Sequence, residues 1–233
     1  MGQAAVLGIL GTLYFEIGKY EESVESFQRA SEIYNELKQI NELFTCLKGI
    51  GNSFIKLNKL DEACDIFLDA SAICSDNNDI YNLLDCIGNL INIHEIQENW
   101  DVVYELYKKS LKAFQEINDI KGIIVSYFNL GLLKKKSSKL DKALIYFKKG
   151  TNLAIDKNFV EFIIKGLSYI GETLFYDGQI KEAMKQFIKA LDISESVNAT
   201  NAILQIKVIL RSFGLTDDYI NEELMKYREK RKK

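Results

Sequence analysis

Proline is absent from the 233 residues, and histidine occurs once, at His94. The first absence excludes proline-rich ligand segments and cis-proline corners, so turns must be built from Gly, Asn, Ser or Asp. The second excludes histidine-rich metal sites and leaves a single imidazole as candidate base. Cysteine is sparse: Cys46, Cys64, Cys74 and Cys86 form no CxxC pair. In a chain with an ample core, such thiols read as small core residues in a reducing compartment, which makes the cytoplasm the expected location. No apolar run reaches the roughly 20 residues of a membrane span. The longest, Gly122 to Leu133, contains Ser126 and Asn129. The opening MGQAAVLGILGTLYFE has no basic segment before its apolar run, so it is not a secretory signal. Val6 stands where a myristoylation motif requires Ser or Thr. Thirty basic against 33 acidic side chains leave a net charge of −3, too small to attract a polyanion by itself. With 47% apolar and 27% charged residues, the chain has the composition of a folded protein.

What is present is an internal repeat. Gly11, Gly51, Gly131 and Gly171 lie on one series with a step of 40 (51−11, then 131−51 as two steps, then 171−131), and Ile91 fills the remaining place. Residues just before this column are Leu10, Ile50, Leu90, Leu130 and Ile170. Twelve places after it stand Ser23, Ala63, Val103, Ala143 and Ala183. Sixteen places after it stand Phe27, Phe67, Tyr107, Phe147 and Phe187, and nineteen after it Ala30, Ala70, Ser110, Gly150 and Ala190. Columns that hold one size class over five units without insertion define a solenoid or array.

Each unit reads as two helices. Leu43, Leu47, Ile50 and Phe54 have helical spacing in one half of the second unit, and Ala63, Ile66, Phe67 and Ala70 in the other. Short breaks separate the halves at Gly18-Lys19-Tyr20, Asn58-Lys59-Leu60, Glu98-Asn99-Trp100, Ser138-Lys139-Leu140 and Gly178-Gln179-Ile180. Further breaks recur at Asn78, Asn118, Asn158 and Asn198, where asparagine tolerates the left-handed conformation that ends a helix. Glu21, Asp61, Asp101 and Asp141 open the second helices, at the positive end of the helix dipole. The glycine column predicts a close approach of the paired helices, with the aromatic of the second helix in the gap.

The pattern carried by Leu10-Gly11-Tyr14, Gly18-Lys19-Tyr20-Glu21-Glu22, Phe27 and Ala30, and again by Ile50-Gly51-Phe54, Leu60-Asp61-Glu62-Ala63, Phe67 and Ala70, resembles the tetratricopeptide repeat. Leu130-Gly131 with Leu140-Asp141-Lys142-Ala143-Phe147, and Ile170-Gly171 with Ile180-Lys181-Glu182-Ala183-Phe187-Ala190, repeat it. The third unit departs most, through Ile91, Val103 and Ser110. The family period is usually about 34 with a closing proline. A 40-residue period without proline is similar to the long-helix arrays of spindle-orientation adaptors and kinesin light chains. The resemblance implies an all-α, right-handed superhelix of five helix pairs. Units are expected at about 1–38, 39–78, 79–118, 119–158 and 159–198, followed by degenerate capping helices and a basic tail over 199–233. Thr216-Asp217-Asp218 offers an N-cap for the last helix, from Tyr219 to about Arg228. The apolar start of the first unit predicts a truncated end or self-association through that end.

No nucleotide loop or metal-ligand spacing is present, so no cofactor, metal or enzyme activity is expected. His94 shares the column of Tyr14 and Phe54, which reads as core, and Cys86 is its nearest thiol along the chain. The scattered carboxylates read as solvated helix faces. The resemblance instead implies a protein or peptide partner in the groove lined by first helices, with scaffold or adaptor function. Alternatives are a regulatory peptide receptor of the bacterial quorum-sensor type, or a piece of a larger signalling protein.

Positions that line the groove in tetratricopeptide arrays correspond here to Lys48, Asn52 and Lys56, to Asn89 and Asn92, to Phe128, Asn129 and Lys136, and to Tyr169, Glu172 and Tyr176. Asn52, Asn89, Asn92 and Asn129 form a ladder whose amides can pair with both sides of a peptide backbone. Lys48, Asn52 and Asn89 have the residue types of a carboxylate clamp, but Val125 and Asn129 stand where its remaining basic residues belong. The Lys134-Lys135-Lys136 run suits a helix C-terminus. Neither it nor the basic tail Lys226–Lys233 has the interleaved aromatics of an RNA surface, so neither nucleic acid nor a membrane is expected as partner.

Overall fold

The computed structural model describes residues 2–232, and not the side chain of Lys232; Met1 and the last residue of the basic tail, Lys233, lie outside it. The described residues form helices and no strand. In order these are α1 (Gly2–Glu16), α2 (Tyr20–Glu36), α3 (Ile40–Lys56), α4 (Leu60–Asp76), α5 (Ile80–Ile96) and α6 (Trp100–Glu116). They continue with α7 (Ile120–Lys136), α8 (Leu140–Asp156), α9 (Val160–Tyr176), α10 (Ile180–Ser196), α11 (Thr200–Ser212) and α12 (Asp217–Lys232). They run as consecutive pairs, the all-α solenoid class that the sequence implies. The chain forms two compact units, Met1–Ala113 and Phe114–Lys233. The division falls within α6, in the third repeat, whose size columns depart most from the others.

Helix ends are set by a single backbone device. Gly18, Lys38, Asn58, Asn78, Glu98, Asn118, Ser138, Asn158, Gly178 and Asn198 all have φ between 53° and 78°. Each lies twenty residues after the last. The amide that follows this residue donates five residues back, as Gln39 to the Tyr34 carbonyl at 2.9 Å, while Lys38 donates to Asn35 at 3.1 Å. This paired arrangement satisfies carbonyls that a helix end would leave bare. The structural period is therefore half the sequence period. Most helix starts lack a side-chain cap, but Asp79 accepts from the Asn82 amide and Asp119 from the Gly122 amide, each at 3.1 Å. Thr216 likewise accepts from the Tyr219 amide at 3.3 Å, capping α12.

The glycine column works as the sequence predicts. A β-carbon at Gly11 would lie 2.8 Å from the Phe27 ring, and one at Gly51 2.6 Å from Phe67. At Gly131 it would lie 2.5 Å from Phe147, and at Gly171 2.9 Å from Phe187. The four rings are buried. At the departing pair, Ile91 fills the glycine place and the matching ring is the half-buried Tyr107, whose hydroxyl donates to Glu95 at 3.2 Å.

The column before the glycine packs on the preceding pair. Ile50 joins the cluster of Leu7 and Phe27, Leu90 that of Ala63 and Phe67, and Ile170 that of Phe128 and Phe147. Leu10 belongs to the first described pair and is 37% exposed, with Val6, Ile9, Leu13 and Ile17 more exposed still.

Replacing Gly131 by Leu should lower stability by about 1–3 kcal/mol or more, since no space exists above Phe147. An unchanged thermal melt would contradict the ring-on-glycine contact. Conversely, Lys38→Gly and Glu98→Gly should each stabilise by up to about 1 kcal/mol, because only their left-handed backbone is relieved. A lowered melting temperature for both would refute that account of the turns.

Candidate functional site

In the first unit, α3 and α5 bring Lys48, Asn52, Lys56, Asn89 and Asn92 to the first-helix face. Asn92 and Lys56 are exposed, and Lys48, Asn52 and Asn89 half-buried. Lys48 is ion-paired with Asp85 at 2.5 Å, and the Asn89 amide donates to the Asp85 carbonyl at 3.0 Å. The clamp-like lysine thus already faces a carboxylate of its own chain, which an incoming acidic group would have to displace. Asn52 and Asn92 have no hydrogen-bond partner among the described residues.

The second unit corrects one expected groove residue. Phe128 is 2% exposed and belongs to the core. Its ring fills the space that a β-carbon at Gly150 (2.6 Å) or Gly166 (2.9 Å) would need, and it packs edge-on to Tyr169 with centroids 5.5 Å apart. Size columns read one unit at a time do not reveal two glycines from different helices converging on one ring. Asn129 and Tyr169 are half-buried, whereas Lys136 and Tyr176 are exposed. Glu172 is tied to Lys135 at 2.5 Å, Lys135 stands 5.3 Å over the Tyr176 ring, and Lys165 stands 5.8 Å over Tyr169.

Between α9 and α11 lies a groove of about 1060 Å³. Lys165, Ser168, Tyr169 and Glu172 line one wall, at register positions that the repeat resemblance marks as groove-lining. The opposite wall carries Asn201, Leu204, Gln205 and Val208. These escaped the sequence reading, although adding forty to Glu161, Ile164, Lys165 and Ser168 gives them directly. Leu204 and Val208 are exposed apolar side chains, 58% and 59% accessible. Such a wall can receive an apolar side chain beside polar backbone contacts.

His94 is half-buried. Its Nε2 lies 3.7 Å from the Cys64 thiol, on the preceding helix pair, and its Nδ1 lies 3.4 Å from the Asn99 amide nitrogen. Burial and the nearby Asp65 and Asp61 carboxylates push the Cys64 thiol up, against nucleophile chemistry. No group of metal ligands occurs among the described residues, and no helix there is long and apolar enough to cross a membrane.

Paired helices of matched length, turning at every twentieth residue, define a helical-repeat protein. Tetratricopeptide-repeat models match residues 2–76 and 124–154, and the repeats in those stretches are tetratricopeptide repeats. No curated protein matches the sequence. Among solved structures, BtubC (BKLC) from P. vanneervenii is 17% identical, with TM-score 0.62 over 82% of this chain and 80% of that one. The putative kinesin light chain repeats of Podosopora anserina are 12% identical, with TM-score 0.62 over 84% and 96%. The Rap conjugation gene regulator of the plasmid pLS20, in complex with the Phr* peptide, is 14% identical, with TM-score 0.54 over 96% of this chain and 62% of that one. At identities this low, the structural likeness shows a shared fold alone.

Burial pushes the Cys46 thiol up to about 11, aided by Glu42, and the Cys86 thiol up to about 12, aided by the adjoining Cys74 thiol. Unfolded thiols ionise near pH 8.5, so above that pH the unfolded chain loses protons that the folded chain keeps. Stability should therefore fall as pH rises from about 9 towards 11. Denaturant midpoints across that range check this, and a flat or rising profile would contradict it.

Proposed function

We propose that this chain is a non-enzymatic scaffold or adaptor that holds a peptide segment of a partner protein along its first-helix face. The observation that carries the reading is the α9–α11 groove, with Lys165, Ser168, Tyr169 and Glu172 at groove-register positions and an opposite wall that mixes Leu204 and Val208 with Asn201 and Gln205. In the first unit, the unpartnered amides of Asn52 and Asn92 support the same use, because an amide offers a donor and an acceptor to an extended backbone. Five repeats through residue 198 with a terminal pair beyond, working in the cytoplasm, complete the reading.

A second reading is a regulatory peptide receptor. Its support is the fold shared with a peptide-bound Rap regulator, of which this chain spans 62%. The exposed apolar side chains of α1, Val6, Ile9 and Leu13, with Ile17 just after it, support self-association at that end.

With a partner peptide in hand, Asn89→Ala with Asn92→Ala should weaken binding about fivefold to a hundredfold, at about 0.5–1.5 kcal/mol per hydrogen bond, while the melt stays unchanged. Glu25→Ala and Lys148→Ala, on exposed faces of second helices, should have little effect. Isothermal titration of the three variants decides the matter. Loss of binding in the second-helix variants alone would exclude the first-helix face.

A further inference from the structure

The last helix carries two kinds of basic residue with different work to do. Arg228 donates to Asp192 and to Glu195, each at 2.8 Å, and Arg231 donates to Asp192 at 2.7 Å. Asp192 is buried at 6% exposure, so these bonds clamp α12 along α10. The arginines are consumed in that clamp. The lysines of the same helix are not: Lys226 and Lys230 line a cleft of about 750 Å³ between α12 and α10.

Lys181, Lys185 and Lys189 of α10 line it too, spaced four apart on one helix face. Five lysines thus stand against one acidic lining residue, Glu223, in a chain whose net charge is −3. Lys185 is held by Glu182 at 2.7 Å, and Lys226 by Glu222 and Glu223 at 2.8 and 2.9 Å. Lys181, Lys189 and Lys230 have no acidic partner among the described residues. Between the lysines, Ile180 at 47% exposure and the half-buried Met184 supply an apolar strip, above Ile188, which is buried in the core at 4%.

We propose that the α10–α12 cleft docks an acidic amphipathic protein segment, with its apolar side chains on Ile180 and Met184 and its carboxylates against Lys181, Lys189 and Lys230. Charge complementarity selects the sign of the partner, and the apolar strip selects its pattern. A membrane is too flat to reach the floor of a concave cleft. A nucleic-acid backbone has no use for the aliphatic strip. The surface belongs to second helices, so its occupant is independent of any peptide on the first-helix face.

The test is an anisotropy titration with a labelled peptide of about 18 residues, five helical turns, with Leu on one face and Glu on the other. Its Glu→Gln isostere serves as the neutral comparison. Saturable binding is expected, at least about tenfold weaker for the Gln isostere and at least about tenfold weaker at about 0.3 M than at about 0.05 M salt. Lys181→Glu with Lys189→Glu and Lys230→Glu should abolish it, while Asn89→Ala with Asn92→Ala should leave it intact. A circular dichroism melt confirms the fold of the triple variant; if that variant unfolds, the Lys→Gln triple is read instead, with the same loss expected. Equal binding of the neutral peptide, no saturation, or insensitivity to the triple substitution would overturn the proposal. So would preferential, lysine-dependent binding to phosphatidylserine vesicles or to single-stranded RNA.

Discussion

A phenyl ring seated directly on a glycine of the partner helix is the contact on which the rest of the structure depends. At Gly11, Gly51, Gly131 and Gly171 no side chain would fit, and the ring from sixteen residues on fills the space instead. The contact sets the separation of each pair. It turns the residue before the glycine towards the preceding pair, where Ile50, Leu90 and Ile170 each join a separate core cluster. It also fixes which first-helix positions stay outside, because a helix that commits the glycine side to packing leaves the opposite side for other use. Where Ile91 replaces glycine, the ring becomes Tyr107, held at the margin by Glu95, and the chain's division into two compact units falls close by.

Much of this was legible in the sequence because the requirements are steric and local. A left-handed residue is needed at each helix end, and Gly or Asn supplies it at seven of ten such places; Lys38, Glu98 and Ser138 supply it against their own preference. The boundary at 38 is therefore read from the period and not from the residue that makes the turn. Other features depend on where several helices converge. Phe128 sits in a groove-register position yet is swallowed by a pocket formed from Gly150 and Gly166. Lys48 has the chemistry of a ligand-binding cation but is already matched by Asp85 on the neighbouring first helix. His94 meets Cys64 of the preceding helix pair, not Cys86 of its own helix. The wall formed by Leu204 and Val208 followed from the same step of forty, but Arg211 in the glycine place interrupted the pattern just where α11 begins to serve the groove.

The terminal helix illustrates how one composition can do two jobs. Arginine, with its planar fork, takes the buried carboxylate of Asp192 and holds α12 in place. Lysine, a flexible point charge, remains towards the cleft. A tail that reads in sequence as a solvated basic end is, as far as Arg231, an ordered helix with an inner and an outer chemistry.

The central functional claim is that partners are met by the face that ring-on-glycine packing leaves free on the first helices. Photo-crosslinking tests it most directly, with a benzoyl-phenylalanine placed in turn at Asn92 and Tyr176 on that face, and at Glu25 and Lys148 on the outer face of second helices. All four positions are exposed, so each can report without disturbing the core. The account predicts that a purified partner is trapped from Asn92 and Tyr176 and not from Glu25 and Lys148; trapping from the second pair alone would contradict it.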